Sequence, residues 1–177
     1  MTDSEREFAI QQLHRGRNAL TAAIAGISDD QARLRPTPES WSIADCVEHV
    51  GITEDVLYSM VTGGVQNSNG VPLDPAKYDR LATAIVDRSR KVRAPESIRP
   101  TGRFASLDEA ARQFYSARER SMKFARECTQ DLRALYCLHP VLGEIDCHRC
   151  LILLALHPAR HAAQIDEIKQ AWKTAAD

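Results

Sequence analysis

Two histidines, His157 and His161, stand four residues apart in a run that keeps helical step: Cys150, Leu154, His157, His161, Ile165, Ile168 and Trp172. Side chains four apart on a helix share one face on successive turns, so the two imidazoles aim at a common point. This is a frequent way for a helix to supply two ligands to one metal ion. A single histidine on such a stripe is ordinarily a core residue satisfied by hydrogen bonds, whereas a pair in register favours a metal. A third histidine, His49, sits at the edge of another apolar face made by Ile43, Val47, Val50, Leu57 and Val61. An imidazole there must be desolvated and its nitrogens satisfied, which a cation shared with His157 and His161 would do. Three neutral nitrogen ligands with open coordination positions are the arrangement of a catalytic rather than a structural metal. Such a centre can activate water or deprotonate a thiol. Imidazoles suit Zn, Ni, Fe or Co alike, so the divalent ion's identity stays open.

The surrounding residues narrow the chemistry. Zinc peptidases of the His-Glu-x-x-His type place a glutamate after the first histidine; here that position is Pro158, so their general base is missing, and no residue stands out as a catalytic acid or base. Pro158 also lacks an N–H and clashes with the carbonyl of Leu154, which must find water or a side chain instead. Glu48 points about a quarter turn away from His49, which predicts a surface or supporting role rather than ligation. Arg160 and Gln164 can orient a ligand ring, shape a pocket or ride the polar edge of the helix. Cys147 and Cys150 form a lone pair of cysteines, expected to pack rather than to bind metal or do redox work. Cys46, one turn before His49, is expected to fill the core. His14, His139 and His148 have no partners in the pattern and read as surface or cap residues.

Four helical stretches must position these groups. The first carries Ile10, Leu13, Leu20, Ile24 and Ile27 and closes before Pro36 and Pro38. The second opens on Ser42 and Asp45, a reciprocal cap, and ends at Gly63-Gly64. The third opens on Ser106 with Asp108 and Glu109 in its first turn, where negative charge suits the helix dipole. The fourth is the histidine stripe. Four amphipathic helices bury their stripes against one another as an all-α four-helix bundle. A long crossover, residues 62 to 105, joins the second and third helices, with a subsidiary helix expected over about 75 to 91 after Asp74-Pro75. No alternating strand pattern longer than a few residues competes.

Composition agrees with a single domain over residues 1–177. The chain is 44% apolar with 23 Lys+Arg against 24 Asp+Glu, a formal net charge of -1 that offers no field for a polyanion. The longest apolar run, Leu151 to Leu156, is too short to span a bilayer. Five cysteines in no regular framework predict free thiols in a cytoplasmic protein. Between Arg80 and Arg103 seven basic residues meet two acids, a solvated crossover or a rim that attracts an anionic substrate.

The segment Trp41-Ser42-Ile43-Ala44-Asp45-Cys46-Val47-Glu48-His49 resembles the opening of the second helix in the DinB-like superfamily. His157-Pro158-Ala159-Arg160-His161-Ala162-Ala163-Gln164-Ile165 resembles that family's closing motif. Asp87-Arg88-Ser89, Ala94-Pro95-Glu96 and Pro100-Thr101-Gly102 are similar to the crossover of one branch. The resemblance implies an up-down-down-up bundle and a divalent metal on three histidines, matching His49, His157 and His161. Members of known activity include bacillithiol and mycothiol S-transferases and mycothiol-dependent maleylpyruvate isomerase, alongside proposed metal-dependent hydrolases. The resulting expectation is a metal-dependent transferase or hydrolase acting on a small molecule, with a low-molecular-weight thiol as a candidate partner, and with neither nucleic acid nor membrane. The rival expectation is a non-catalytic metal-binding or dimerising bundle, a homodimer, whose shell a fourth ligand such as Cys46 would close.

Overall fold

A computed structural model describes residues 1–66, 83–89 and 92–176. Four long helices dominate it: α1 (Asp3–Ile24), α3 (Ile43–Thr62), α4 (Leu107–Glu127) and α5 (Cys147–Ala176), with a short α2 (Asp29–Arg33) between the first two. Their boundaries follow from local chemistry. Ser42 Oγ accepts from the Asp45 N–H at 3.1 Å while the Asp45 carboxylate accepts from the Ser42 N–H at 2.8 Å, the reciprocal cap read from the sequence. Ser106 Oγ likewise accepts from the Glu109 N–H at 3.1 Å. Gly63 caps α3, donating its N–H to the Ser59 carbonyl. The first helical stretch divides in two: α1 stops at Ile24, and Ser28 opens α2 with its own capping box. The subsidiary helix expected over about 75 to 91 falls largely outside the described residues, of which 83–86 are helical.

Cross-helix contacts give the topology. Arg6 on α1 donates to the Ala125 carbonyl on α4, Arg17 pairs with Glu119, and Thr21 meets Tyr115, so α1 and α4 run antiparallel. On α3, Asp55 pairs with Arg120 and Tyr58 packs on Phe124, so α3 and α4 run parallel. Cys150 near the start of α5 reaches the Leu57 carbonyl late in α3, while His161 meets His49 early in α3, so α5 opposes α3 and runs with α1. The bundle is up-down-down-up.

Beside the helices lies a small antiparallel sheet in the order β1 (Val65–Gln66), β2 (Leu135–His139), β3 (Gly143–Asp146). It is an addition to the helical architecture. Its register pairs Tyr136 with Asp146 and His139 with Gly143, and Gly143 supplies the positive φ of 72° at the turn. The strands are too short, and Leu135 to Leu138 too continuously apolar, to show the alternation that marks a strand.

The core is two apolar clusters separated by a polar layer. One gathers Leu13, Leu57, Met122, Ile145 and Leu151 to Leu156; the other gathers Leu20, Ile43, Val50, Phe114 and Ile165. Between them Arg118, wholly buried, pairs with buried Glu54 at 2.7 Å. Its guanidinium also donates to the carbonyls of Leu13 (3.0 Å) and Leu154 (3.0 Å). Leu154 is the residue whose carbonyl Pro158 deprives of its helical donor, so a side chain from α4 supplies the missing bond. The helix continues unbroken through Pro158. Gly16 completes this level: a Cβ there would lie 2.2 Å from the Ala155 carbonyl oxygen, so α1 approaches α5 closely only because the side chain is absent.

Removing one member of a buried pair strands the other charge. The variant Arg118→Met should therefore lose about 3–5 kcal/mol of stability, read as a lower urea midpoint. The double variant Arg118→Met/Glu54→Leu should recover much of that loss. A double variant no more stable than the single would show that the carbonyl contacts outweigh the charge pair.

Candidate metal centre

The polar layer opens into a cavity of about 850 Å³, and His49, His157 and His161 line it together. His49 projects from α3 at the level where α5 presents its in-register pair. The ring centroids lie 5.0 Å (His49–His157), 4.7 Å (His49–His161) and 4.6 Å (His157–His161) apart. Each ring offers one nitrogen, and these nitrogens all fall within 4.8 Å of one another. Among the described residues this is the one group of three or more His, Cys, Asp or Glu side chains so placed.

The rings are held from behind. A nitrogen facing a carbonyl can only donate, so His49 Nδ1 gives its hydrogen to the Ile98 carbonyl at 2.7 Å, leaving the Nε2 lone pair free to ligate. Ile98 ends a 3₁₀ turn, Glu96–Ile98, in the crossover. That segment is itself pinned by Glu48, which accepts from Thr101 N–H at 2.7 Å and Gly102 N–H at 2.9 Å. Trp41, one residue before the helix cap, packs on His49 at 4.8 Å and stacks on His161 at 6.1 Å.

The donor set fits a divalent ion. His157 Nε2 and His161 Nε2 lie 3.2 Å apart. Two nitrogens about 2.1 Å from one cation, at angles between tetrahedral and octahedral, are about 3.0–3.4 Å apart. Electrostatics keep the rings in their ligating form. Burial holds all three below the ordinary imidazole range; for His49 the Ile98 hydrogen bond opposes this in part, and for His157 and His161 the other imidazoles and nearby arginines deepen it.

The other residues singled out in the sequence divide as follows. Glu48 is not at the surface: it is buried, and it anchors the crossover rather than joining the histidines. The Arg160 guanidinium donates to the carbonyls of Ile85 and Asp87. Gln164 accepts from Arg88, which also forks onto Glu167 at 3.0 and 2.8 Å. Both α5 residues therefore shape the cavity wall by binding the crossover. Cys46 is wholly buried in the second apolar cluster, and burial pushes its thiol up. Cys147 and Cys150 are wholly buried. His14 is exposed, as expected, and His139 caps the hairpin, accepting from the Val141 and Leu142 N–H groups at 3.2 Å. His148 is a correction: it is buried, because the first turn of α5 packs inward all round. The Ile98 carbonyl, Thr53 and His139 join the cavity unannounced; no local spacing relates them to the histidines.

Comparison with known proteins follows this geometry. The sequence model of the DinB superfamily matches residues 12–165. The uncharacterized protein YuaE of Bacillus subtilis strain 168 is 24% identical over 147 residues, covering 83% of this chain and 88% of YuaE. Among solved structures, YfiT from Bacillus subtilis superposes with a TM-score of 0.60 at 16% identity, covering 96% of this chain and 89% of YfiT. YfiT is described as a probable metal-dependent hydrolase with an unusual four-helix bundle topology, and the shared fold is that bundle.

Replacing His157 or His161 by Ala should abolish stoichiometric metal and leave a helical protein; unchanged metal content in the purified variants would refute the assignment. The depressed imidazole pKa values set a further expectation. Below the unfolded value of about 6.5 the unfolded chain binds protons that the folded chain refuses, so stability rises with pH there and is lost on acidification. The urea midpoint of the metal-free protein should fall as the pH is lowered from about 7.5 to about 5.5, and less steeply in a His157→Ala/His161→Ala double variant.

Proposed function

The chain belongs to the DinB superfamily, and from that premise we propose that it is a metal-dependent enzyme acting on a small molecule by hydrolysis or by thiol transfer, with His49, His157 and His161 holding the ion. The observation that carries this reading is the convergence of three neutral imidazoles, without a carboxylate, at the wall of one cavity. A divalent ion bound by three uncharged ligands keeps its full charge and lowers the pKa of a water or thiol at its open positions.

The chain's own residues supply position and selectivity. The Ile98 carbonyl fixes the His49 tautomer. No other His, Cys, Asp or Glu among the described residues joins the group, which leaves coordination positions to reactants. The cavity's volume suits a small organic molecule. Trp41, Leu153 and Ile168 give it apolar walls, while Arg93 and Arg99 give one side positive charge. Arg88 lines it too but is matched by Glu167. The positive side favours a substrate or thiol carrying a carboxylate, the rim anticipated from the charge run. The description of YfiT supports hydrolysis; the arginines support an anionic thiol as co-substrate. Five free cysteines suit a reducing compartment, and we place the protein in the cytoplasm, working as one domain over residues 1–177.

Elemental analysis of the protein purified without added metal should find one divalent ion per chain. The loaded protein should then turn over simple esters or amides, or join a carboxylate-bearing thiol to an electrophile. His49→Ala should lose both the ion and that activity. A protein that binds no divalent ion, or whose activity survives His49→Ala, would overturn the reading.

A further inference from the structure

The β2–β3 hairpin reaches the histidine cavity with its tip. Pro140, Val141 and Leu142 join His139 to its ladder partner Gly143, and His139, Val141 and Leu142 all line the cavity. Val141 is 55% exposed and Leu142 43%. Val92, on the crossover, is 61% exposed and lines the same cavity. Exposure on the hairpin does not by itself place a residue there. Leu138, at 76% the most exposed large apolar side chain among the described residues, sits between Cys137 and His139 and is not on the cavity wall. Adjacent strand residues point to opposite faces, so Leu138 turns away from the side that carries His139.

The tip is held in place by a side chain. The His139 Nδ1 accepts from the backbone N–H of Val141 and from that of Leu142, each at 3.2 Å. Pro140 fixes its own φ, and Gly143 closes the turn at a φ of 72°. A ring nitrogen that accepts carries no hydrogen, so the imidazole is neutral with its hydrogen on Nε2. Burial holds it below the ordinary imidazole range, which keeps that form. One ring therefore fixes the backbone of the two residues whose apolar side chains reach the cavity. The cost of ordering them is met on folding rather than on binding.

Apolar area that water wets is stabilised when a ligand covers it. Whatever covers Val141 and Leu142 shares the cavity with the three imidazoles and with Arg93 and Arg99. It therefore meets positive charge at one part and hydrocarbon at another.

We propose that the hairpin tip is a preformed apolar subsite of the cavity, built by Val141 and Leu142 and positioned by His139. The small molecule taken there carries an apolar arm, an alkyl chain or a ring, beside its anionic group. This rests on the reading of the cavity as the place where substrate binds, and it adds the substrate class: an amphipathic carboxylate rather than a wholly polar one. Val141 and Leu142 determine specificity; His139 acts through them.

The full chain, stripped of metal by a chelator and titrated with octanoate and with butyrate, tests the subsite. The two probes differ by four methylenes, each worth about fourfold in affinity when fully buried. A half-open wall should still give octanoate at least about tenfold tighter binding. Val141→Ser/Leu142→Ser should bring that preference below about threefold. His139→Ala should lower it by loosening the tip, and His139→Asn should restore it, because the Asn Oδ1 stands where Nδ1 stands and accepts from the same N–H groups. Leu138→Ser, on the same hairpin but off the cavity, should keep the preference of the parent. The titrations need no ion, so metal content tests the three histidines while chain-length preference tests the hairpin. Should the double variant not fold, as judged by circular dichroism, the shifts that octanoate induces in the Val141 and Leu142 methyl signals of the unaltered protein decide. Equal binding of the two probes, no binding of octanoate, a preference that survives Val141→Ser/Leu142→Ser, one lost equally in Leu138→Ser, or methyl signals that octanoate does not move would overturn the proposal.

Discussion

A buried guanidinium cannot be left without partners, and in this bundle its partners come from every long helix. Arg118 on α4 takes the Glu54 carboxylate from α3, the Leu13 carbonyl from α1 and the Leu154 carbonyl from α5. The last exists as an acceptor because Pro158 cannot donate to it. The proline, harmful in an isolated helix, here creates a fixed negative dipole inside the core, and the arginine meets it. Gly16 lets α1 close on the same level. The helices therefore share one polar layer whose geometry is set by directional bonds, while the two apolar clusters on either side are non-directional and tolerate sliding. His157 and His161 flank Pro158 at this layer, so the directional bonds that fix the level of α5 also fix the level of its imidazoles.

The layer explains why the site stays uncharged by protein groups. Glu54, buried on α3 a turn and a half beyond His49, is committed to Arg118. Glu48 is committed to the crossover. The three imidazoles are left facing one another, and burial keeps them neutral. Cys46, which would have closed a four-ligand shell and made the centre structural, packs instead into the apolar cluster with Ile43, Val47 and Val50. Among the described residues no fourth protein ligand joins the three imidazoles, and an open donor set is the kind that suits chemistry over a purely structural role.

What was legible in the sequence shares one property: it is encoded within a few residues. The reciprocal cap at Ser42 and Asp45, the stop at Gly63, the His157–His161 pair and the orphaned Leu154 carbonyl all rest on spacings of three or four. The placement of His49 opposite the pair rested on a weaker argument, the cost of an imidazole on an apolar face, and its geometry agrees. What was not legible depends on pairing across the chain. Arg118 lies in a helix of mixed charge, between Ala117 and Glu119, and nothing local separates it from the exposed Arg120 two positions on. The hairpin over 135–146 lacks alternation because Leu135, Tyr136 and Ile145 are buried against the bundle.

The crossover is where fold and chemistry meet. Adjacent residues of α3 hold it, Glu48 through the backbone at 101–102 and His49 through the Ile98 carbonyl; α5 holds its other part through Arg160 and through Gln164 and Glu167 on Arg88. Both histidine-bearing helices thus grip the same segment, and that segment supplies Arg93 and Arg99 to the cavity. Among the described residues, the helices hold backbone carbonyls and amides of the crossover at Ile85, Asp87, Ile98, Thr101 and Gly102, beside the side chain of Arg88. Backbone contacts survive side-chain replacement, so residues other than Arg88 between these anchor points can vary in charge and size without moving the imidazoles. A bundle built this way holds the three imidazoles in place while the residues around the cavity vary, which is a physical basis for one fold hosting different sites.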